Sequence, residues 1–126
     1  MAVPARSRSK LWLLLWCGLT ACATTAPLDK IEFDLTPFGD DGLYGPPDGL
    51  RSLSYEFCIP ARPTCRAEVE SIDPTLQIHS ASPGRVDCGP DRYLCIGHTH
   101  QLHFRKVLHR LARLEYIERI APHWAE

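Results

Sequence analysis

The chain has 126 residues, enough for one domain, and 23% of them are charged, with a formal net charge of −1 at pH 7. This balance argues against the strongly basic surface that nucleic-acid binding requires. All the acidic residues lie after position 21 and three basic residues lie before it, so the later part of the chain is more acidic still.

The first 21 residues are predicted to be a secretory signal peptide. Arg6, Arg8 and Lys10 precede an uncharged run over residues 11–19. That run is less than half of the roughly 20 apolar residues that a membrane-crossing helix needs. A basic start, a short apolar run and a small-residue exit are typical of an export signal.

The exit of this segment reads Leu19-Thr20-Ala21-Cys22 and resembles the lipobox of bacterial lipoproteins. The resemblance implies that the Cys22 sulfur receives a diacylglyceryl group and that the chain is cut before Cys22. It also implies acylation of the new amino terminus. Ala23 in place of Asp implies an outer-membrane location, with the protein facing the periplasm. An ordinary signal peptide that happens to contain Cys22 is the alternative.

Residues 22–51 are predicted to form the lipidated terminus and a flexible tether, because glycine, proline and aspartate punctuate them without a lasting periodicity. Within them, the alternation of KIEFDL (30–35) predicts at most one edge strand. The folded domain is expected to span residues 52–126.

The elements of this domain follow from short periodic stretches. In chain order they are a strand over 53–59, a helix over 63–73, a strand over 75–79, strand pieces over 85–88 and 92–96, a helix over 100–114 and a strand over 116–120. This order predicts an α+β domain with the ferredoxin-like βαββαβ topology, which packs two helices on one face of an antiparallel sheet.

The helix after Thr99, a plausible N-cap, has the strongest periodicity in the chain. One face is apolar and the other is basic: Phe104, Val107, Leu108, Leu111 and Leu114 against Arg105, Lys106, His109, Arg110 and Arg113. We expect the apolar face to be core, with membrane-surface binding as the alternative.

Four cysteines beside Cys22 follow the signal and are expected to form disulfides, as is usual in an exported chain: Cys58, Cys65, Cys88 and Cys95. Three pairings are open. The turn-forming residues between near neighbours favour Cys58–Cys65 and Cys88–Cys95. A four-thiolate zinc site is the alternative, although its cysteines usually lie closer together.

His98, His100 and His103 are the candidate metal ligands. They lie where a strand passes into a helix, and we expect His100 and His103 in the first helical turn. Imidazole nitrogens suit zinc, copper or nickel. The alternative is that these rings close the helix end over the core.

No recognisable set of catalytic residues is present in the sequence. We therefore expect a small, non-catalytic, lipid-anchored binding module that acts on another protein of the cell envelope. A metal-binding lipoprotein using the three histidines is the alternative, and a small hydrolase comes third.

Overall fold

The computed structural model describes residues 27–124. The predicted signal peptide and Cys22 lie outside the described residues. After a 3-10 turn at Pro27–Lys30, the regular elements in chain order are β1 (Ser54–Pro60), α1 (Pro63–Ile72), β2 (Gln77–His79), β3 (Arg92–His98), α2 (Phe104–Ala112) and β4 (Ala121–His123). The prediction of an α+β domain is confirmed. Within residues 27–124, no helix has the length and apolar character needed to cross a membrane.

The four strands form one sheet in the order β2-β3-β1-β4, and every neighbouring pair is antiparallel. Consequently β1 and β2 run parallel with β3 between them, and α1 crosses over β3 to connect them. In the same way α2 connects β3 to β4, which run parallel with β1 between them. The two central strands therefore belong to different halves of the chain.

One face of the sheet packs against the helices. Tyr55, Phe57 and Ile59 alternate along β1 and are fully buried, as the period of two in a half-covered strand requires. Phe104 and Leu108 from α2 complete this core. The apolar face of α2 is therefore core, as expected.

α1 follows its predicted range closely because Pro63 suits a helix start and Pro74 cannot continue the helix. α2 is shorter than predicted. The Thr99 hydroxyl bonds the backbone of Leu53 and Gly42, so Thr99 does not cap the helix. His103, in the left-handed conformation (φ 56°), takes that position instead.

Two predicted strand pieces are wrong. Residues 85–88 form a turn, because the buried Glu56 carboxylate accepts hydrogen bonds from the backbone of Arg85 and Val86. Residues 116–120 are not the last strand: Ile117 and Ile120 are buried in the core, and β4 begins at the following residue.

The flexible tether predicted over 22–51 is wrong for residues 27–51, which pack on the domain. Ile31 forms a parallel bridge with Ile120, the one strand-like contact within the predicted strand at 30–35. Phe38 is buried, with its ring centroid 5.6 Å from that of Phe104. Aromatic side chains in this glycine-rich segment supply the apolar area that holds it. The predicted boundary at residue 52 is therefore wrong, because the packed unit includes residues 27–51.

The favoured disulfide pairings are also wrong. Cys58 is bonded to Cys88, and Cys65 and Cys95 are buried thiols. The alternation of β1 explains this: Cys58 lies on the sheet face opposite Phe57, whereas Cys65 and Cys95 belong to the core beneath the helices. The sheet separates Cys58 from Cys65, and it separates Cys88 from Cys95. Burial raises the pKa of Cys95 to about 12.

Candidate functional site

The loop that joins β3 to α2, residues 99–103, is held by a fully buried threonine. The Thr99 amide donates to the Leu53 carbonyl (2.9 Å), and its hydroxyl accepts from the Leu53 amide (3.0 Å) and donates to the Gly42 carbonyl (2.7 Å). Gly42 has a φ of 76°, and a Cβ there would lie 1.7 Å from the Thr99 carbonyl oxygen. The loop is thus fastened both to β1 and to the amino-terminal segment.

Gln101 inserts its side chain into a buried polar cluster. Its Nε2 donates to the His98 carbonyl (2.9 Å) and lies 3.2 Å from both the Tyr55 hydroxyl and Asp73 Oδ1. Asp73, at the end of α1, is 1% exposed and also accepts from the amide (2.9 Å) and hydroxyl (2.7 Å) of Thr75. Three elements of the fold therefore meet at this one loop.

The Tyr55 hydroxyl donates to Asp73 Oδ2. Burial, assisted by the negative charge of Asp73, raises the pKa of Tyr55 well above its ordinary value. The hydroxyl therefore stays protonated and continues to donate at any physiological pH. Buried hydrogen-bond networks of this kind restrain the groups that they join, although the buried Gln101 Oε1 has no hydrogen-bond partner among the described residues.

These contacts of Thr99 and Gln101 determine the position of Leu102. It is 85% exposed, the highest value among the large apolar side chains described. Leu102 borders two surface grooves, of about 400 and about 430 Å³. Ile72 and Pro74 line the first groove opposite Val107 of α2. Phe104 and Asp40 line the second. We call Leu102 with these two grooves the Leu102 surface.

Basic residues of α2 extend from this surface. Lys106, Arg110 and Arg113, the last at the C-cap, are exposed and are spaced by four and three residues, so they share one side of the helix. Lys106 and Arg110 line the first groove together with Leu102. We call these three the basic row. None of them forms an ion pair with a carboxylate of residues 27–124.

Arg105 differs from the basic row because its charged group makes contacts within the protein. Its guanidinium lies 4.6 Å from the centre of the Phe104 ring, donates to the Phe38 carbonyl (2.6 Å) and lies 3.5 Å from Asp40. It fastens the amino-terminal segment to α2. The basic row is left facing solvent.

The predicted metal ligands are not brought together. His98 ends β3 with its Nδ1 buried and without a hydrogen-bond partner, His100 Nδ1 lies 3.1 Å from the Asp41 carbonyl, and His103 caps α2. The described part of the chain contains no group of three His, Cys, Asp or Glu side chains placed to hold a metal ion. The prediction that two of these histidines lie in the first helical turn is wrong, because α2 begins at Phe104.

Glu56, on the other face of the sheet, is a second feature that sequence reasoning missed. Its carboxylate is fully buried and accepts from the amides of Arg85 (2.8 Å) and Val86 (3.1 Å), and it lies 3.1 Å from His123 Nδ1. It fastens the turn before Cys88. An alternating strand with a single carboxylate between apolar residues was the available signal.

The Leu102 surface was also missed, because an exposed leucine in a histidine-rich loop has no pattern of its own.

Comparisons of the chain with protein-family models, with curated proteins and with solved structures found no match. The observations that bear on function are therefore the geometry of this surface and the amino-terminal sequence.

Proposed function

We propose that this protein is a lipid-anchored protein of the cell envelope and a non-catalytic binding module. The amino-terminal sequence supports the anchor: a basic, apolar signal ends at the lipobox-like Leu19-Thr20-Ala21-Cys22. The Cys58–Cys88 disulfide supports an oxidising compartment such as the periplasm. Ala23 supports the outer membrane, facing the periplasm.

The observation that carries the binding role is the rigid presentation of Leu102. A leucine that is 85% exposed buries apolar area only when a partner covers it, and covering it contributes about 2 kcal/mol. Because Thr99 and Gln101 fix the loop through buried hydrogen bonds, little conformational entropy is lost on binding.

The chemistry of the partner follows from the surroundings of Leu102. The walls of the first groove are apolar at Ile72, Pro74 and Val107, and basic at Lys106 and Arg110. A surface of this kind fits a partner that combines negative charge with apolar groups. Binding of such a partner involves no catalytic step.

We further infer that the domain has the ferredoxin-like topology. The strand order β2-β3-β1-β4, with two crossovers that each span a central strand, supports it. That topology hosts many unrelated functions, so the binding role is argued from the Leu102 surface alone.

Growth on a labelled fatty acid tests the anchor. The protein should carry the label, and Cys22→Ser should abolish it because only the thiol is alkylated. Cys17→Ser is the matched control: Cys17 lies within the apolar run that is cut away, so this variant should keep the label. Label that persists in Cys22→Ser would contradict the lipid anchor.

A photoactivatable side chain at position 102, introduced in intact cells, tests the binding surface. It should give a reproducible adduct with a neighbouring molecule. The matched control is position 50, where Leu50 is 50% exposed on a different loop. Equal adduct formation at both positions, or none at 102, would contradict a binding role for the Leu102 surface.

A further inference from the structure

The basic row of α2 is a positive charge that no carboxylate within residues 27–124 neutralises. On α1, by contrast, Arg66 is paired with Glu70 at 3.0 Å, and Glu68 accepts from the Tyr116 hydroxyl. An anionic bilayer surface attracts each lysine or arginine that lies near it. The basic row therefore makes the α2 side of the molecule the one that such a surface attracts.

Leu102 lies in the loop just before α2, and it lines both grooves together with Lys106 and the first groove together with Arg110. An exposed apolar side chain therefore lies beside basic ones. Lysine and arginine that flank an apolar group are typical of segments lying in the headgroup region of a bilayer. The structure offers this combination where the 99–103 loop meets α2.

The place where the chain enters the fold is the second, independent observation. The turn Pro27–Lys30 packs against α2, and the Lys30 ammonium donates to the Leu114 carbonyl (3.0 Å), just beyond the end of the helix. Cys22 precedes Pro27 by five residues, which can extend at most about 18 Å. A lipid on Cys22 would therefore keep the carboxyl end of α2 close to the bilayer.

We propose that the partner of the Leu102 surface is the anionic phospholipid bilayer itself. In this arrangement α2 lies along the membrane, the basic row contacts lipid phosphates, and Leu102 inserts among the headgroups. The inference rests on the proposed lipid anchor at Cys22. The opposite face of the sheet, with Glu56 and the Cys58–Cys88 disulfide, then faces away from the membrane.

Tryptophan quenching by brominated lipid tests this orientation. The lipidated protein is reconstituted in vesicles of brominated phosphatidylglycerol. Trp124 is replaced by phenylalanine, and because Trp12 and Trp16 precede Cys22, the processed chain then has no tryptophan. Leu102→Trp should be quenched. His79→Trp is the matched control, since His79 is exposed on the face of the sheet away from the helices, and it should not be.

Charge reversal tests whether the charges of the basic row, rather than the nearby lipid anchor alone, bring Leu102 to the membrane. Adding Lys106→Glu with Arg110→Glu to the Leu102→Trp variant should abolish its quenching. Arg51→Glu with Arg62→Glu, at exposed positions elsewhere, should leave the quenching of that variant unchanged. Replacing the anionic lipid by brominated phosphatidylcholine should weaken quenching because the attraction is electrostatic.

The outcomes distinguish the two proposals. A fatty-acid-labelled protein in which positions 102 and 79 are equally quenched, or 102 is not quenched, overturns the membrane orientation and leaves the anchor standing. An adduct of position 102 with a protein in cells also overturns it, since a protein then occupies this surface. A chain without the fatty-acid label overturns both proposals.

Discussion

Two loops of this protein are each fastened by a buried carboxylate, on opposite faces of the same sheet. Glu56 holds the turn at Arg85 and Val86, and the Cys58–Cys88 disulfide closes the same loop covalently. Asp73 holds the loop over residues 99–103 through Gln101, with hydrogen bonds alone. The first loop lies over the sheet, whereas the second presents Leu102 to solvent.

The two loops differ in how they are held and in what they expose. The loop closed by a disulfide has its position secured twice. The 99–103 loop is secured by a network that joins Tyr55, Asp73, Thr75 and Gln101, and the leucine that it presents, Leu102, is 85% exposed.

Removal of the disulfide should have the largest effect. Cys58→Ala with Cys88→Ala opens a link between residues 30 positions apart in sequence. In the loop-entropy picture this lowers the free energy of unfolding by about 3 to 4 kcal/mol. Urea unfolding measures it, and Cys65→Ala with Cys95→Ala under non-reducing conditions shows the effect of losing thiols alone. If the wild type unfolds at the same urea concentration with and without reductant, the bond does not stabilise the fold.

Disruption of the Asp73 network should have the second-largest effect on the free energy of unfolding. Asp73→Asn removes the charge that accepts from Tyr55 and Thr75, and hydrogen bonds to charged groups contribute about 1.5 to 3 kcal/mol. Hydrogen exchange at the backbone amide of Gln101 should become faster, because the network then holds the 99–103 loop less firmly. Glu56→Gln is the counterpart, and there the disulfide should keep the 84–88 turn in place. Equal exchange at Gln101 in both variants would contradict separate control of the two loops.

Alkaline pH should weaken the helix side of the sheet. The pKa of Tyr55 is raised in the folded state by burial and Asp73, and that of Cys95 is raised to about 12 by burial. The unfolded chain loses these protons first, so the free energy of unfolding should fall as pH rises above the ordinary values of these groups, 9.0 for Cys95 and 10.0 for Tyr55.

Tyr55→Phe checks this assignment. The variant should lose about 1.5 to 3 kcal/mol at neutral pH, because the buried Asp73 carboxylate loses one donor, and should show a shallower decline in alkali. Urea unfolding at a series of pH values measures both. A decline as steep as that of the wild type would mean that other groups cause it.

Leu102→Ala should have the smallest effect on stability, under about 0.5 kcal/mol, because the side chain is 85% exposed. Leu108→Ala is the matched change within the core, where the leucine is fully buried, and should cost about 2 to 5 kcal/mol. Thermal unfolding of both variants makes the comparison. A large loss at position 102 would mean that Leu102 serves folding rather than binding.

The parts of the fold that the sequence predicted are those with a strong local period. The apolar positions of α2, from Phe104 to Leu111, repeat as a helix must, and the alternation at residues 53–59 has the period of a strand. Pro63 and Pro74 bound α1. These signals are local, and they survive folding because the core covers the apolar side of each element.

The predictions that are wrong concern features that depend on contacts between residues distant in sequence. Phe38 is buried by Phe104 of α2, which no local pattern among neighbouring glycines shows. Cys58 alternates with Phe57 and Ile59, which already indicates that it faces away from the core. Its pairing with Cys88, however, depends on the turn that Glu56 holds. The spacing of the histidines groups them as metal ligands, but His98 ends β3, His100 contacts the Asp41 carbonyl and His103 precedes α2 in the left-handed conformation.

The intact mass of the protein purified from membranes decides whether a disulfide-bonded domain is held by a lipid only a few residues before Pro27, its first described residue. We expect a chain that begins at Cys22 and carries fatty acyl groups. Alkylation of the unfolded chain should modify Cys65 and Cys95 before reduction, and Cys58 and Cys88 in addition after it. A chain with an unmodified Cys22 would contradict the account.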